Sequence, residues 1–168
     1  MTMPQDQKYL KIKLGDVLCC VELSYILRTI TLVDINPIPQ APSFINGFIN
    51  FAGTQLMVAD LSARFGLSSE QPYTLDTPML ICRSGDSMAA FIVDEIVGLV
   101  SANESSAQLE ANFDCKEKLP FKGVLNCADE VCLWLDLAQV INILVSQLAS
   151  ECGPEILSNF ESLVSGQV

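Results

Sequence analysis

The 168-residue chain carries 20 Asp and Glu against 9 Lys and Arg, a formal charge of −11, and is half apolar with only 17% charged residues. Such a chain lacks the basic face that phosphate contacts need, which excludes a nucleic-acid binder. It has no histidine, which excludes Ser-His-Asp and Cys-His catalysis, histidine-ligated metals and phosphotransfer through histidine.

The opening residues MTMPQDQKYLKIKLGD contain no apolar signal core, and no window holds 18 uninterrupted apolar residues. A soluble, unexported, cytoplasmic chain is therefore expected. Leu10 to Leu14 alternates apolar and charged residues and reads as a half-buried strand. Gly15-Asp16 supplies a turn, and Val17 to Leu23 is the return strand of a hairpin. Ile26 and its neighbours read as a short helical or turn segment. Pro37, Pro39 and Pro42 then force an extended surface connection, because proline cannot enter a central ladder. Ile45 to Phe51 pairs with Gln55 to Ala59, and Gly53 provides the positive-φ hairpin turn. Gly47 permits a bend or a close approach of backbone. Pro78 to Arg83 and Ser87 to Val93 form another hairpin about Ser84-Gly85-Asp86. Gly123 to Cys127 and Val131 to Leu135 form the last. Asp60 and Asp136 each precede a short helix as its N-cap. Gly66 ends the first helix, and the second continues through Ile143, Leu144 and Leu148 until Gly153-Pro154. In the tail, Ile156, Phe160, Leu163 and Val164 fall at helical spacing.

The seven cysteines contain no C-x-x-C pair, and their odd number points to reduced thiols. Cys19, Cys20, Cys82 and Cys132 lie in apolar runs and read as small core residues. Cys127 and Cys132 have no second pair at ligand spacing, so no metal is expected. Lys116, Lys118 and Lys122, interrupted by Glu117, read as a solvated loop. Trp134, alone of its kind, reads as core.

The chain also repeats itself. At an offset of 76, Gly47, Asn50, Ala52, Asp60 and Leu61 fall on Gly123, Asn126, Ala128, Asp136 and Leu137. At an offset of 70, Leu10, Gly15, Asp16 and Ile26 fall on Leu80, Gly85, Asp86 and Ile96. Each half, about 9–65 and 79–141, thus runs hairpin, short segment, connection, hairpin, Asp-Leu. Two such repeats suggest a pair of small barrels, since closure removes the exposed edges of short sheets.

The stretch from Asn36 through Pro42, Phe44, Gly47, Asn50 and Gly53, followed by Leu56-Met-Val-Ala-Asp-Leu, resembles the CheW-like family of bacterial chemotaxis coupling proteins. Phe91 to Val100, and Lys122-Gly-Val-Leu-Asn with Leu135-Asp-Leu, are similar to the family's second half. The resemblance covers about residues 8–148, leaving 149–168 as a tail that can be helical. It implies a mainly β fold of two intertwined five-stranded SH3-like barrels, with short helices and a C-terminal helix. It implies an adaptor with no catalysis, metal or cofactor, located at membrane-associated receptor arrays. One surface would hold a CheA-type histidine kinase and another the cytoplasmic tip of a methyl-accepting chemoreceptor. The expected partner surface comprises Arg28, Ile45, Phe48, Asn50, Ala52 and Gly53.

The family's N-L-R-G reads Asn50-Phe51-Ala52-Gly53 here, so its arginine is replaced by Ala52. The position where the family often has a helical glutamate falls on Arg28. The resemblance implies that these positions face one another, so both partners of an expected ion pair have changed. Replacing both sides of such a pair can leave stability unaltered, so the fold is expected to survive while the partner surface changes. Three other roles remain open: a ligand sensor using the crevice between the barrels, an accessory or decoy scaffold in a pilus-type array, and a thiol-dependent enzyme or redox sensor.

Overall fold

A computed structural model describes residues 7–67, 72–102, 107–108, 121–127, 130–142 and 144. β1 (Gln7–Leu14) and β2 (Val17–Glu22) form the first hairpin, and a 3-10 turn at Leu23–Tyr25 leads into β3 (Ile26–Thr31). β4 (Ile45–Phe51) and β5 (Thr54–Asp60) form the second hairpin, ahead of α1 (Leu61–Arg64). The second half repeats the order with β6 (Pro78–Ser84), β7 (Ser87–Ile92) and β8 (Glu95–Ala102). Two-residue β9 (Ala107–Gln108), then β10 (Phe121–Cys127) and β11 (Glu130–Leu135), complete it, with helix over 137–142. The expected continuation through Ile143 and Leu148, and the tail helix, lie outside the described residues.

The halves are intertwined rather than side by side. One sheet runs β8-β1-β2-β11-β10-β9 and the other β3-β6-β7-β5-β4. Each half lends its first hairpin to the other half's sheet, and the seams are the parallel pairs β2–β11 and β5–β7 together with the antiparallel pairs β1–β8 and β3–β6. The ladders superimpose at the offsets seen in sequence. Leu10 opposes Val21 as Leu80 opposes Phe91, Gly47 opposes Val58 as Gly123 opposes Trp134, and Val21 meets Leu135 as Phe91 meets Ala59. Even the bulges coincide: one skips Leu27 on β3 and one skips Val97 on β8.

Exchange of hairpins gives the exchanged strands β1, β2, β6 and β7, and β5 beside them, two buried faces. On β5, β6 and β7, Met57, Ala59, Leu80, Cys82, Ala89 and Phe91 enter a core shared by the two sheets. Their neighbours Leu56, Val58, Met79, Ile81, Ala90 and Ile92 enter a separate cluster with Ile49. That second cluster also takes Ile30 from β3 and Phe51 from β4, the two ends of the sheet, so the sheet wraps around it. Tyr9, Cys20, Leu125 and Cys132, with Val100 and Trp134, do the same for the other sheet. The fold is the mainly β pair of SH3-like modules expected from sequence, with side chains rather than backbone ladders joining β3 to β4 among the described residues.

Two local expectations need correction. The short helical or turn segment expected after the first hairpin is the 3-10 turn at Leu23–Tyr25, but Ile26–Thr31 beyond it and the equivalent Glu95–Ala102 are strands. The β-branched Ile26, Thr29, Ile30 and Thr31 favour extended backbone, and β6 supplies the ladder that fixes it. β1 is buried on both faces, not one, and Lys11 inside it is only 6% exposed, its ammonium paired with Glu130. The caps are as expected. Asp60 Oδ1 accepts from the Ala63 amide at 3.1 Å, and Asp136 Oδ1 from Gln139 at 3.2 Å. Gly66 and Leu67 donate to Ala63 and Ser62, closing α1 in a Schellman turn.

Gly47 is the tightest backbone contact. Its φ is +142°, and a Cβ there would lie 2.0 Å from the Asn36 carbonyl oxygen, because Asn36 and Phe48 exchange two backbone hydrogen bonds of 2.9 Å. Gly47→Ala is expected to lower the urea midpoint by the equivalent of about 3 kcal/mol, from overpacking and backbone strain together. Gly66→Ala has open space around its Cβ and should lose only about 1 kcal/mol. Equal losses at the two positions would refute the close-approach explanation.

Candidate functional site

Of the expected partner residues, Arg28 on β3 is brought to Phe51 at the end of β4, beside the turn of Ala52 and Gly53, whereas Ile45 lies at the opposite end of that strand. Arg28 is exposed on strand β3, a correction to its expected helical setting. Its guanidinium carbon lies 5.7 Å from the centre of the Phe51 ring, within cation–π range. Sequence position therefore does bring Arg28 to the hairpin that ends in Ala52, through Phe51 rather than through an ion pair.

At the tip, Ala52 has φ +49° and Gly53 φ +86°. Two successive positive values between the paired Phe51 and Thr54 are what a type I′ turn requires. Asn50 is exposed, and its Oδ1 accepts from the Gly53 amide at 3.0 Å, so its first task is to tie this turn. Phe48 is half-buried on the face opposite Ile49 and Phe51. Ile45 is 6% exposed within the shared core, so it supports the surface from beneath rather than lining it.

Sequence reasoning missed the matching edge in the second half. On β8, Val97 is 47% and Leu99 62% exposed, while Leu27 of β3 is 50% exposed. Both edges thus show an apolar side chain at the equivalent bulge. The offset of 70 that aligned Ile26 with Ile96 was the signal for it.

Lys122 does not lie in a free loop. It sits on β10, pairs with Glu22 at 2.9 Å, and places its ammonium 5.2 Å from the Trp134 ring centre and 5.9 Å from that of Tyr25. Partial burial opposes its charge, but the Glu22 carboxylate, with Tyr25 and Asp136 adding to it, holds the ammonium above its ordinary pKa. Lys116 and Lys118 lie outside the described residues. Trp134 is half-buried, packed edge-to-face on Tyr9 at 5.8 Å. Asp94 accepts from the Gly15 amide and from Ser62 Oγ, which fastens the first hairpin and α1 to the β7–β8 junction.

Cys19 and Cys82 are buried and make poor nucleophiles. Burial pushes the Cys19 thiol up from 9.0 to about 12, and raises Cys82 as well. Cys127 lies on β10, and Cys115 and Cys152 lie outside the described residues. A depression beside Tyr73, Thr77 and Asp94 has a volume of about 140 Å³, below the roughly 300–1,000 Å³ of ordinary ligand pockets. Among the described residues no helix is long and apolar enough to cross a membrane.

The family model of the CheW-like domain matches residues 8–145. The chain belongs to the CheW-like family. Its curated relatives include the chemotaxis protein CheW of Thermotoga maritima, 26% identical over 64% of this chain and 70% of that one. The CheW of Rhizobium meliloti is 24% identical, covering 57% of this chain and 61% of the relative. The CheW of Helicobacter pylori is also 24% identical, over 55% of each. Among solved structures, the scaffolding protein TtCheW of Thermoanaerobacter tengcongensis shares the fold. Its TM-score is 0.71 at 23% identity, covering 78% of this chain and 89% of that one. These low identities mark this chain as a divergent CheW-like protein.

Two measurements follow from the local chemistry. Ala52→Asn would create the Asn-Gly pair that a type I′ turn prefers, and should stabilise the fold by about 0.5–1 kcal/mol with an unchanged urea m-value. A loss of stability would show that the turn does not strain Ala52. For the thiols, the unfolded chain ionises near pH 9.0 while folded Cys19 keeps its proton to about 12. Their contribution is therefore intact below pH 9 and lost as pH rises toward 12, at up to about 1.4 kcal/mol per pH unit per thiol. Cys19 and Cys82 should resist iodoacetamide at pH 8 until the protein is unfolded. Rapid labelling of the folded protein at either would restore the thiol chemistry.

Proposed function

We propose that the protein is a signal-transduction adaptor that couples methyl-accepting chemoreceptors to a CheA-type histidine kinase, without catalysis of its own. The observation that carries this reading is the pair of equivalent but differently dressed edges. The duplication gives β3 and β8 the same place in their sheets and the same bulge. Yet β3 presents Leu27, Arg28 and Thr29 where β8 presents Val97, Gly98 and Leu99. One rigid chain thus offers two distinct surfaces of related shape. An adaptor needs that arrangement to hold two different proteins at once.

Exposed apolar groups at both edges suit side-chain docking, with polar residues forming a rim. The bulges interrupt the ladder and disfavour simple strand addition. The Arg28, Phe48, Asn50, Ala52 and Gly53 surface would meet one partner and the β8 edge the other. Coupling would then be a difference in contact free energy between two assembly states, requiring no bond-making by the adaptor. The relatives named as chemotaxis proteins and the scaffolding protein of the same fold support this reading.

Titration of the purified protein against the CheA-type kinases and receptor cytoplasmic fragments of the same cell tests it. A ternary complex containing all three components is expected, with kinase activity dependent on the adaptor's presence. Failure to bind either class, or turnover by the protein alone, would overturn the reading.

A further inference from the structure

We propose that Arg28 is the specificity-determining anchor of the β3 surface, engaging a single carboxylate on an otherwise largely apolar segment of a partner protein. This rests on the adaptor reading and deepens it by naming the chemistry that the first-half edge selects.

Arg28 is exposed, as are Leu27, Thr29 and Thr31 on the same strand. Among the described residues it makes neither an ion pair nor a hydrogen bond, the ion pairs being Lys11–Glu130 and Lys122–Glu22. Acidic residues outnumber basic ones by 20 to 9, yet none of those described neutralises it. The Phe51 ring, 5.7 Å away, holds the cation through its π-system and consumes none of its N–H donors. The planar fork is therefore both positioned and unspent, as bidentate recognition of a carboxylate requires.

Several observations narrow the occupant. A formal charge of −11 repels a polyanion such as nucleic acid. The same charge leaves this edge as a local positive point on an acidic body, complementary to an isolated carboxylate. Leu27, half-exposed beside Arg28, and the Phe51 ring offer apolar contact next to the charge, so the matching segment carries an apolar side chain near its Asp or Glu. The bulge at Leu27 breaks the outer ladder, which leaves recognition to side chains. At the equivalent place β8 has Gly98, followed by exposed Leu99 where β3 has Thr29. The two edges thus differ in charge as well as in shape, and a partner fitted to one is not fitted to the other.

The test measures affinity of the full-length protein for the CheA-type kinase and for the receptor fragment, at low and high salt. Arg28→Glu should weaken binding to one partner by about 30-fold or more and leave the other within about twofold. Arg28→Gln, which keeps a planar group over Phe51 without the charge, should lose about tenfold and flatten the salt dependence. Arg28→Lys should lose less than Arg28→Gln. Melting temperatures should stay within about 2 °C of the parent, which separates recognition from a role in closing the β3–β4 seam. Replacing the partner's contacting Asp or Glu by Lys should restore binding to Arg28→Glu. If the parent protein binds both partners and Arg28→Glu binds them equally well, this inference falls while the adaptor reading stands. If Arg28→Gln weakens binding only in proportion to a fall in melting temperature, or no charge reversal restores binding, the inference also falls. If the parent protein binds neither partner, the adaptor reading falls and takes this inference with it.

Discussion

The parallel contacts between β2 and β11 and between β5 and β7 bind the molecule together, because each joins a hairpin of one half to a hairpin of the other. Neither half owns a complete sheet. Each module therefore forms only when distant parts of the chain come together, Cys19 beside Leu133 and Met57 beside Ala89. The shared core containing Leu10, Ile12, Leu80 and Phe91 is buried by that same event. Two-faced burial follows directly. A strand such as β6, with Met79 and Ile81 on one side and Leu80 and Cys82 on the other, cannot alternate apolar with polar residues. The low proportion of charged residues is the compositional consequence of that arrangement.

An interlocked frame is well suited to presenting surfaces at fixed separation. The modules share a core and cannot shift relative to one another without exposing it, so the β3 and β8 edges keep a set relationship. The positive φ of Ala52 lies at a hairpin tip, and the bulges at Leu27 and Val97 lie on outer strands. These are positions where local geometry can vary with little effect on the core.

Much of the fold was legible because duplication is written in residue identities. The glycine, Asn and Asp-Leu positions recur at fixed offsets, and the first three hairpins each carry a glycine at the turn. Arg28 was harder to place. Short segments such as Ile26–Thr31 show too few residues for a period to emerge, and the ladder to β6 that makes this one a strand comes from the other half of the chain. Ile45 was legible as part of β4 but not as core, because a strand read locally does not reveal which face the second sheet will cover. Likewise Lys122 looked like one of several loop lysines until β10 brought it to Glu22, Tyr25 and Trp134.

By itself the sequence determined the strand-rich doubled architecture, the caps at Asp60 and Asp136, the turn at Gly53 and the exclusion of histidine chemistry. Those properties depend on residue type and spacing along a few neighbours, which one dimension records. Tertiary structure alone decided that the hairpins cross between sheets, that Lys11 is buried with Glu130, and that Arg28 rests on Phe51. Each of these is set by which distant strand arrives alongside, and that choice is made by burying the shared core as a whole.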